Sequence, residues 1–247
     1  MPRFFVSAEA LAGDTVELRG EDCRHIGLSL RMAVGDPVTL SDGRGQECLC
    51  RLAEISPARV VCRVEERRQG AGEMPVSLRL YPGLAKGEKM EWIVQKAVEL
   101  GADAVLPFES SRSVVRLHAD RAEKQTARLA RIAAEAAGQC GRARLPGVFP
   151  PLSFTAALAD AAAHGARILF CYEGEKNTTL RAALEEARAD GVGTIALFTG
   201  SEGGFSPEEA EEACRAGAKP VTFGARILRC ETAPLFALSC AAFVFEM

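Results

Sequence analysis

Length, composition and charge set the first limits on this chain of 247 residues. Its 48% hydrophobic and 26% charged residues are typical of a globular protein, and the length suits a small domain beside a larger one. No apolar run approaches the roughly 20 residues of a membrane helix, and MPRFFVSAEALAGD lacks the features of a signal peptide, so we expect a cytoplasmic protein. The net charge of −3 gives no general attraction to nucleic acid, so an RNA-binding surface has to be a local cluster.

The nine cysteines favour neither a metal site nor a disulfide framework. None forms a C-x-x-C pair, no histidine stands at zinc-finger spacing from them, and their odd number prevents complete internal pairing. We therefore predict no bound metal and expect reduced, buried thiols, as is usual in the cytoplasm. Cys48, Cys50 and Leu52 recur at every second position, a pattern typical of one face of a half-buried strand.

The chain before residue 70 contains short β-prone runs separated by turn residues. Asp42-Gly43 and Ser56-Pro57 are the clearest turns, and short strands at this spacing predict a small barrel. The segment ERRQGAGEMP, with its charges, glycines and proline, is predicted to be a linker. We accordingly place one domain at residues 1–72 and a second at residues 73–247.

After residue 75 strand patterns alternate with helix patterns, which predicts an α/β domain with a parallel sheet covered on both faces. The clearest helix is GEKMEWIVQKAVELG, which has an apolar face and ends at Gly101. The residues of that face are Met90, Ile93, Val94, Ala97 and Val98. The predicted strands are VSLRLYPGL, AVLPF, ARILFCY, TIALFTG and PVTF, and the further helices are 120–137, TLRAALEEARADG, the segment opened by SPEE and ended by Gly217, and the apolar C-terminus. In SPEE, Ser206 is the predicted N-cap and Glu209 stands at capping-box spacing from it.

The stretch TIALFTGSEGGFSPEE joins a buried strand through a glycine-rich turn to a helix. Loops at this position bind ligands in open parallel sheets, and glycine allows a ligand to approach the backbone closely. The pattern is neither G-x-G-x-x-G nor a P-loop, so a nucleotide phosphate is not the obvious ligand. The alternative is a plain strand-to-helix turn.

The stretch KPVTFGARILRCETAPLF contains a second candidate loop. It brings Gly224, Arg226, Arg229 and Glu231 close together in sequence, beside the apolar pair Ile227-Leu228. A loop that holds an adenosyl group needs apolar cover and free backbone groups. Ordinary capping of the following helix is the alternative explanation of its polar residues.

Basic residues cluster at three further places. Lys86 and Lys89 stand at a predicted helix start, where cations oppose the helix dipole, which suggests an anionic partner unless they are merely solvated. Arg112 follows a strand in ESSRSVV, and Arg142 and Arg144 lie in GQCGRARLPG. Together they could form the local basic patch that the net charge conceals.

Four ordered motifs carry a resemblance to a known family. LAKGEKMEWIVQKAVELGADAVLPFESSRSVV, EAAGQCGRARLPGV, TGSEGGFSPEE and FGARILRCETA resemble the successive signatures of the RsmE family, the 16S ribosomal RNA uridine N3-methyltransferases of the SPOUT superfamily. PRFFV and HIGLSLRMAVGD are similar to its N-terminal domain. Three positions depart from the family, which commonly has I-G-P-E-G-G and R-T-E-T-A where this chain has TGSEGG and RCETA.

The resemblance implies a SPOUT-type parallel sheet with a deep C-terminal trefoil knot, after a small PUA-like β-barrel. It also implies a homodimer, S-adenosyl-L-methionine as cofactor and 16S rRNA of the small ribosomal subunit as partner. The positions that match the family's cofactor loops are Thr199, Gly200, Glu202 and Gly203 in the first loop, and Phe223, Gly224, Ile227, Leu228, Arg229, Thr232 and Ala233 in the second.

The implied reaction moves a methyl group to N3 of a uridine, a poor nucleophile until its proton is removed. We predict that Arg229 and Arg112 stabilise the resulting anion or position phosphate, and that Glu202 or Glu231 acts as the base. The predicted RNA contacts are basic residues of both domains: Arg3, Arg24, His25, Arg31, Lys86, Lys89, Arg142 and Arg144. Two alternatives remain open at this stage: methylation of another RNA, such as tRNA, and a non-catalytic RNA-binding or assembly factor with a vestigial pocket.

Overall fold

The computed structural model describes residues 1–113 and 119–247. The chain forms two compact units, the first made of Met1–Glu73 with Ala137–Leu145 and the second of Met74–Ala136 with Pro146–Met247. Residues 114 and 115, which end the ESSRSVV motif, lie outside the described residues.

The first unit is built on a five-stranded sheet in the order β1-β3-β4-β5-β2. β1 runs parallel to β3, and the other neighbours are antiparallel. The strands are β1 Arg3–Phe5, β2 Thr15–Leu18, β3 Pro37–Ser41, β4 Gln46–Ile55 and β5 Val60–Gln69, and the helical segments are α1 Ala8–Leu11, α2 Glu21–Arg24 and a π-helical turn at His25–Ser29.

The local predictions for this unit are confirmed. Cys48, Cys50 and Leu52 are all buried on β4, because alternate side chains of a strand point to the same face. Gly43 has a φ of 70° in the predicted Asp42-Gly43 turn. At the second turn, Ser56 donates its N–H to the Arg59 carbonyl oxygen over 2.9 Å.

The predicted linker is wrong for its first four residues. Glu66–Gln69 continue β5 and pair with β4, so charged residues here mark an exposed strand rather than a loop. Glu73 accepts hydrogen bonds from the Arg142 side chain over 2.7 Å and from the Ala143 and Arg144 N–H groups over 3.0 and 2.9 Å. These bonds explain why residues 137–145 belong to the first unit, although they stand far along the sequence.

We expect Glu73→Ala to lower the free energy of unfolding by roughly 3–5 kcal/mol, since it removes a mostly buried carboxylate that binds the Arg142 guanidinium and two backbone N–H groups. The side chains of Arg142 and Glu73 are only 6% and 15% exposed. Urea unfolding followed by circular dichroism measures the change. The control is Glu185→Ala, which breaks the exposed Arg181–Glu185 pair of one helix and should cost under about 0.5 kcal/mol. Equal effects of the two variants would contradict a structural role for Glu73.

The second unit contains a six-stranded sheet in the order β13-β11-β12-β6-β7-β9, in which all neighbours are parallel. A separate parallel pair joins β8 and β10. The strands are β6 Ser77–Pro82, β7 Ala104–Val105, β8 Phe108–Glu109, β9 Gly147–Val148, β10 Leu152–Ser153, β11 Arg167–Cys171, β12 Thr194–Thr199 and β13 Lys219–Val221. The helices are α3 Lys89–Glu99, α4 Ala119–Cys140, α5 Phe154–Ala163, α6 Leu180–Ala189, α7 Pro207–Arg215 and α8 Thr232–Glu246, with the end of α4 counted in the first unit.

Helices cover both faces of this sheet, as predicted. α8 packs against α3, α6, β6 and β12, whereas α5 packs against α7 and β11. Ala196 and Phe198 of β12 belong to the aromatic core beneath α5 and α7. Alternation along the strand therefore directs Thr199, the last residue of β12, toward the opposite face.

Helix predictions in this unit are confirmed, whereas one strand prediction is wrong. The buried face of α3 consists of the five predicted residues, and Gly217 has a φ of 84° after the end of α7. The predicted strand AVLPF is instead split into β7 and β8. Pro107 lies at the break, where it has no N–H to donate to a sheet, and Phe108 then pairs with β10. Among the described residues, no helix is both long and apolar enough to cross a membrane.

Candidate active site

The first glycine-rich loop, residues 199–206, joins the end of β12 to the start of α7. The Gly204 N–H donates to the Ser201 carbonyl oxygen over 3.0 Å, and Gly204 has a φ of 64°, which glycine adopts without a steric penalty. Ser206 and Glu209 form the predicted capping box at the start of α7. The loop therefore has a defined backbone at the carboxyl end of a central parallel strand, where open α/β sheets bind ligands.

A second segment approaches this loop so closely that only glycine fits. Gly83 follows β6, the strand beside β12, and its N–H donates to the Thr199 carbonyl oxygen over 2.8 Å. A Cβ atom on Gly83 would lie 2.4 Å from the Ser201 nitrogen. That distance is a clash with backbone atoms, so the position of the loop depends on the absence of a side chain at residue 83.

The hydroxyl of Thr199 is an unsatisfied polar group beside this loop. Thr199 is 1% exposed, and its Oγ1 has no hydrogen-bond partner among the described residues. A buried hydroxyl without a partner is uncommon and costs free energy, so it points to a missing ligand or water. Position 199 is also one of the predicted cofactor positions.

The second loop, residues 222–231, connects β13 to α8. Gly224 has a φ of 94°, and its N–H donates to the Thr222 hydroxyl over 3.2 Å. Phe223 packs edge-on against Phe236 of α8 with ring centroids 5.2 Å apart. The Arg229 carbonyl oxygen accepts the N–H groups that begin α8, so the loop passes directly into the helix.

Two side chains of this loop are exposed to solvent, although its apolar pair was expected to supply apolar cover. Ile227 is 85% exposed, so in this structure it packs against no core. Arg229 is also exposed, and its guanidinium has no ion-pair partner within residues 1–113 and 119–247. An exposed apolar side chain beside an unpaired cation is suited to contact a ligand or another macromolecule.

Lys89, the first residue of α3, joins the two loops. Its Nζ lies 3.1 Å from Glu202 Oε1 in the first loop and 3.5 Å from Glu231 Oε2 at the end of the second. Glu202 Oε1 also accepts the Lys86 N–H over 3.2 Å, and the Cys230 thiol donates to Glu231 over 3.1 Å. Glu202 and Glu231, which were predicted as candidate bases, therefore lie together around one ammonium group.

Electrostatics keep both of these carboxylates ionised. Partial burial acts to raise the pKa of Glu202, but hydrogen bonds from the backbone and from Lys89 outweigh it and lower the pKa below its ordinary value. The pKa of Glu231 is lowered first by the hydrogen bond from Cys230 and further by Lys89. Burial, with the adjacent Glu231, raises the pKa of the Cys230 thiol to about 12, so the thiol stays protonated. A carboxylate with a lowered pKa is a weak proton acceptor.

Arg112 is brought to the first loop by local contacts. A Cβ atom on Gly203 would lie 2.8 Å from the Cβ of Arg112, so the two backbones are in close contact. The Ser111 N–H donates to Glu209 Oε1 over 2.7 Å, which fixes this segment to the start of α7. The predicted catalytic arginine therefore lies beside the predicted cofactor loop.

Comparison with known proteins agrees with this geometry. The family model described as RNA methyltransferase domain matches residues 72–242, and the one described as RNA methyltransferase PUA domain matches residues 18–65. Over 100% of its length the chain is 34% identical to the ribosomal RNA small subunit methyltransferase E of Bacillus subtilis, of which it covers 98%.

This chain belongs to the RsmE family of RNA methyltransferases. Two solved structures are similar over nearly the whole chain. The ribosomal RNA small subunit methyltransferase E of Neisseria gonorrhoeae, bound to S-adenosyl methionine, is 30% identical with a TM-score of 0.84, over 99% of this chain and 98% of that one. A methyltransferase of Legionella pneumophila in complex with the same cofactor is 28% identical with a TM-score of 0.84, over 98% and 96%.

Six of the eight predicted RNA-contacting residues stand where RNA could reach them. The side chains of Arg24, His25, Arg31, Lys86 and Arg144 are exposed, and that of Lys89 is 38% exposed but ion-paired. The RNA contacts of these six residues remain predictions.

The other two predicted RNA-contacting residues have little exposed surface and are already ion-paired. Arg3 forms an ion pair with Glu47, and its side chain is 10% exposed. Arg142 is 5% exposed and bonded to Glu73. Both guanidinium groups stabilise the first unit internally, because a buried cation needs a bound carboxylate.

The structure adds two residues to the site that the motifs did not indicate. Gly83 lies in PGLAKG, where a single glycine gives no ligand signal. Glu173 follows β11, and its carboxylate oxygen would lie 3.1 Å from a Cβ atom on Gly204, so it lies against the first loop. The signal that could have revealed Glu173 is its place at the end of a buried strand beside β12.

Proposed function

We propose that this chain transfers the methyl group of S-adenosyl-L-methionine to N3 of a uridine in 16S rRNA of the small ribosomal subunit. The observation that carries the proposal is the meeting of two glycine-containing loops at the ends of β12 and β13, beside the unpartnered hydroxyl of Thr199. The family supports it, since the relatives it matches are ribosomal RNA small subunit methyltransferases.

The residues present fit this cofactor. Thr199 offers a buried hydroxyl with no partner among the described residues. Gly200 and Gly203 let the loop pack closely against Gly204 and Arg112, which fixes the backbone beside that hydroxyl. The second loop offers Phe223 against α8 and the exposed Ile227 as apolar cover. The full set that we propose for the cofactor is the set of eleven matched positions: Thr199, Gly200, Glu202, Gly203, Phe223, Gly224, Ile227, Leu228, Arg229, Thr232 and Ala233.

The bound sulfonium cofactor supplies an activated methyl group. The chain's own task is to align the uridine and to stabilise the negative charge that forms over O2 and O4 when N3 loses its proton. Arg229 and Arg112 suit this task because each is a permanent cation with several donors, placed at one of the two loops. The lowered pKa values of Glu202 and Glu231 make each a weak base, so we assign the larger effect to the arginines.

RNA binding is proposed for exposed cations of each unit. In the PUA-like first unit these are Arg24, His25, Arg31 and Arg144, and in the second unit Lys86. A net charge of −3 means that these residues, rather than the whole surface, have to attract phosphate.

Several finer features rest on the family assignment. We propose that the five-stranded sheet closes into a barrel, that the chain end forms a trefoil knot, and that the protein works in the cytoplasm. We also propose a homodimer, supported by α8, which is buried on one side yet exposes Phe243 by 67% and Phe236 by 36%. Light scattering after size exclusion measures the oligomeric mass.

Two measurements test the activity. Calorimetry should show binding of S-adenosyl-L-methionine to the purified chain, and no binding would favour an RNA-binding or assembly factor. Primer extension on 16S rRNA should read through one uridine in a strain lacking the gene and stop at that uridine once the gene is restored, since an N3-methyl group blocks Watson–Crick pairing. Restoration of a stop in tRNA alone would overturn the rRNA substrate.

A further inference from the structure

Lys89 stands where a cation is electrostatically unfavourable. It is the first residue of α3, and the amino end of a helix carries partial positive charge. Its side chain is 38% exposed, and its ammonium group faces two carboxylates, at 3.1 and 3.5 Å. The unfavourable interaction with the helix is therefore offset by two partners that the chain itself supplies.

The two partners come from different loops. Glu202 belongs to the first loop, and its carboxylate is also bound by the Lys86 N–H at 3.2 Å. Glu231 ends the second loop and precedes α8, and its carboxylate accepts the Cys230 thiol at 3.1 Å. Lys89 Nζ also lies 3.7 Å from the Cys230 sulfur. One ammonium group thus contacts three side chains drawn from both loops.

This arrangement differs from an ordinary surface ion pair. An isolated exposed pair fixes two long side chains for little gain, whereas here one lysine connects three backbone segments, the start of α3 and the two loops. We therefore expect the Lys89 contacts to fix the relative position of the two loops rather than to raise the global stability of the fold.

We propose that Lys89 is a positioning residue that holds the two cofactor loops together, and that it does not contact RNA phosphate. This inference rests on the proposed function for its effect on the cofactor, but the contact itself is a property of the free protein. With the ammonium group absent, Glu202 and Glu231 repel each other and the loops separate.

The first experiment needs no cofactor. Amide hydrogen exchange of the free protein compares the wild type with Lys89→Met, which keeps an unbranched side chain without charge, and with Lys89→Arg, which restores it. We expect faster exchange in segments 200–205 and 223–231 of Lys89→Met, and recovery in Lys89→Arg. Lys96→Met is the matched control, because it removes a lysine of the same helix that pairs with Glu99 and lies over the Trp92 ring. Unchanged exchange in both segments of a folded Lys89→Met protein would overturn the proposal.

The second experiment measures the functional consequence. Calorimetry should show about fivefold weaker binding of S-adenosyl-L-methionine by Lys89→Met, most of it regained in Lys89→Arg, with Lys96→Met unchanged. Affinity for 16S rRNA and its salt dependence should stay unchanged in Lys89→Met, since a lost phosphate contact would lower both. If the wild type binds no cofactor, the proposed function fails, whereas the exchange result still decides whether Lys89 joins the loops. Weaker RNA binding with normal cofactor affinity would show instead that Lys89 contacts phosphate.

Discussion

Gly83→Ala is expected to weaken binding of S-adenosyl-L-methionine by about 100-fold or more, although residue 83 belongs to neither cofactor motif. The added Cβ would lie 2.4 Å from the Ser201 nitrogen and 3.0 Å from the Gly200 carbonyl carbon. Because these are backbone atoms, no side-chain rotation can relieve the clash, and the first loop has to move. Overpacking of this kind also lowers the free energy of unfolding by roughly 1–3 kcal/mol.

Gly193→Ala is the matched control for this variant. A Cβ atom at residue 193 would meet no atom within 4 Å, and the residue lies in the same unit just before β12. Calorimetry measures cofactor affinity and thermal unfolding measures stability for both proteins. Wild-type affinity in Gly83→Ala would show that the first loop tolerates displacement, which would remove the close approach of Gly83 as an element of the site.

Arg229→Ala is expected to lower the rate of methyl transfer to small-subunit RNA at saturating cofactor by about 100- to 1,000-fold, the usual loss when one charge-stabilising donor is removed. The backbone should survive the change, because the contacts of Arg229 with Thr232 and Ala233 use its carbonyl oxygen. Arg229→Lys should recover only part of the rate, since lysine keeps the charge but loses the forked donors. Single-turnover transfer of a labelled methyl group measures the rate.

The control for Arg229→Ala is Arg215→Ala. Arg215 is exposed near the end of α7 and donates to the Glu211 carbonyl oxygen of its own helix. Arg215→Ala removes the same charge from the same unit but lies in neither loop, so its rate of methyl transfer should equal that of the wild type. A rate within threefold of the wild type for Arg229→Ala would exclude a catalytic role for that guanidinium.

Local predictions from the sequence were accurate where the signal lies within a few residues. The five buried positions of α3, the capping box of α7 and the alternation on β4 all follow from side-chain periodicity and capping. The prediction of one strand over AVLPF was wrong because Pro107 interrupts an otherwise strand-like run. The linker prediction was wrong for Glu66–Gln69 because the charged residues of an exposed strand have the composition of a loop.

The sequence predicted the motifs of the site and their order along the chain, but not which side chains contact each other. TGSEGGF and FGARILRCETA could be assigned from the motifs, and the family assignment is confirmed. Lys89 was expected to meet RNA, yet its partner Glu202 stands 113 residues away in sequence. Arg142 was expected to be exposed, yet it bonds to Glu73, 69 residues away.

The sequence by itself therefore determined the family, the α/β alternation and the two loops that end successive strands of the chain. The family follows from the order of the motifs along the chain. The helices and strands follow from side-chain periodicity within one or two helical turns or a single strand. Only the tertiary structure decided which charges meet, which cations are buried and where a missing side chain lets two backbones touch. Gly83 illustrates the reason: any turn can contain glycine, and its importance arises only when packing of β6 against β12 brings the Ser201 nitrogen to the place a Cβ atom would occupy.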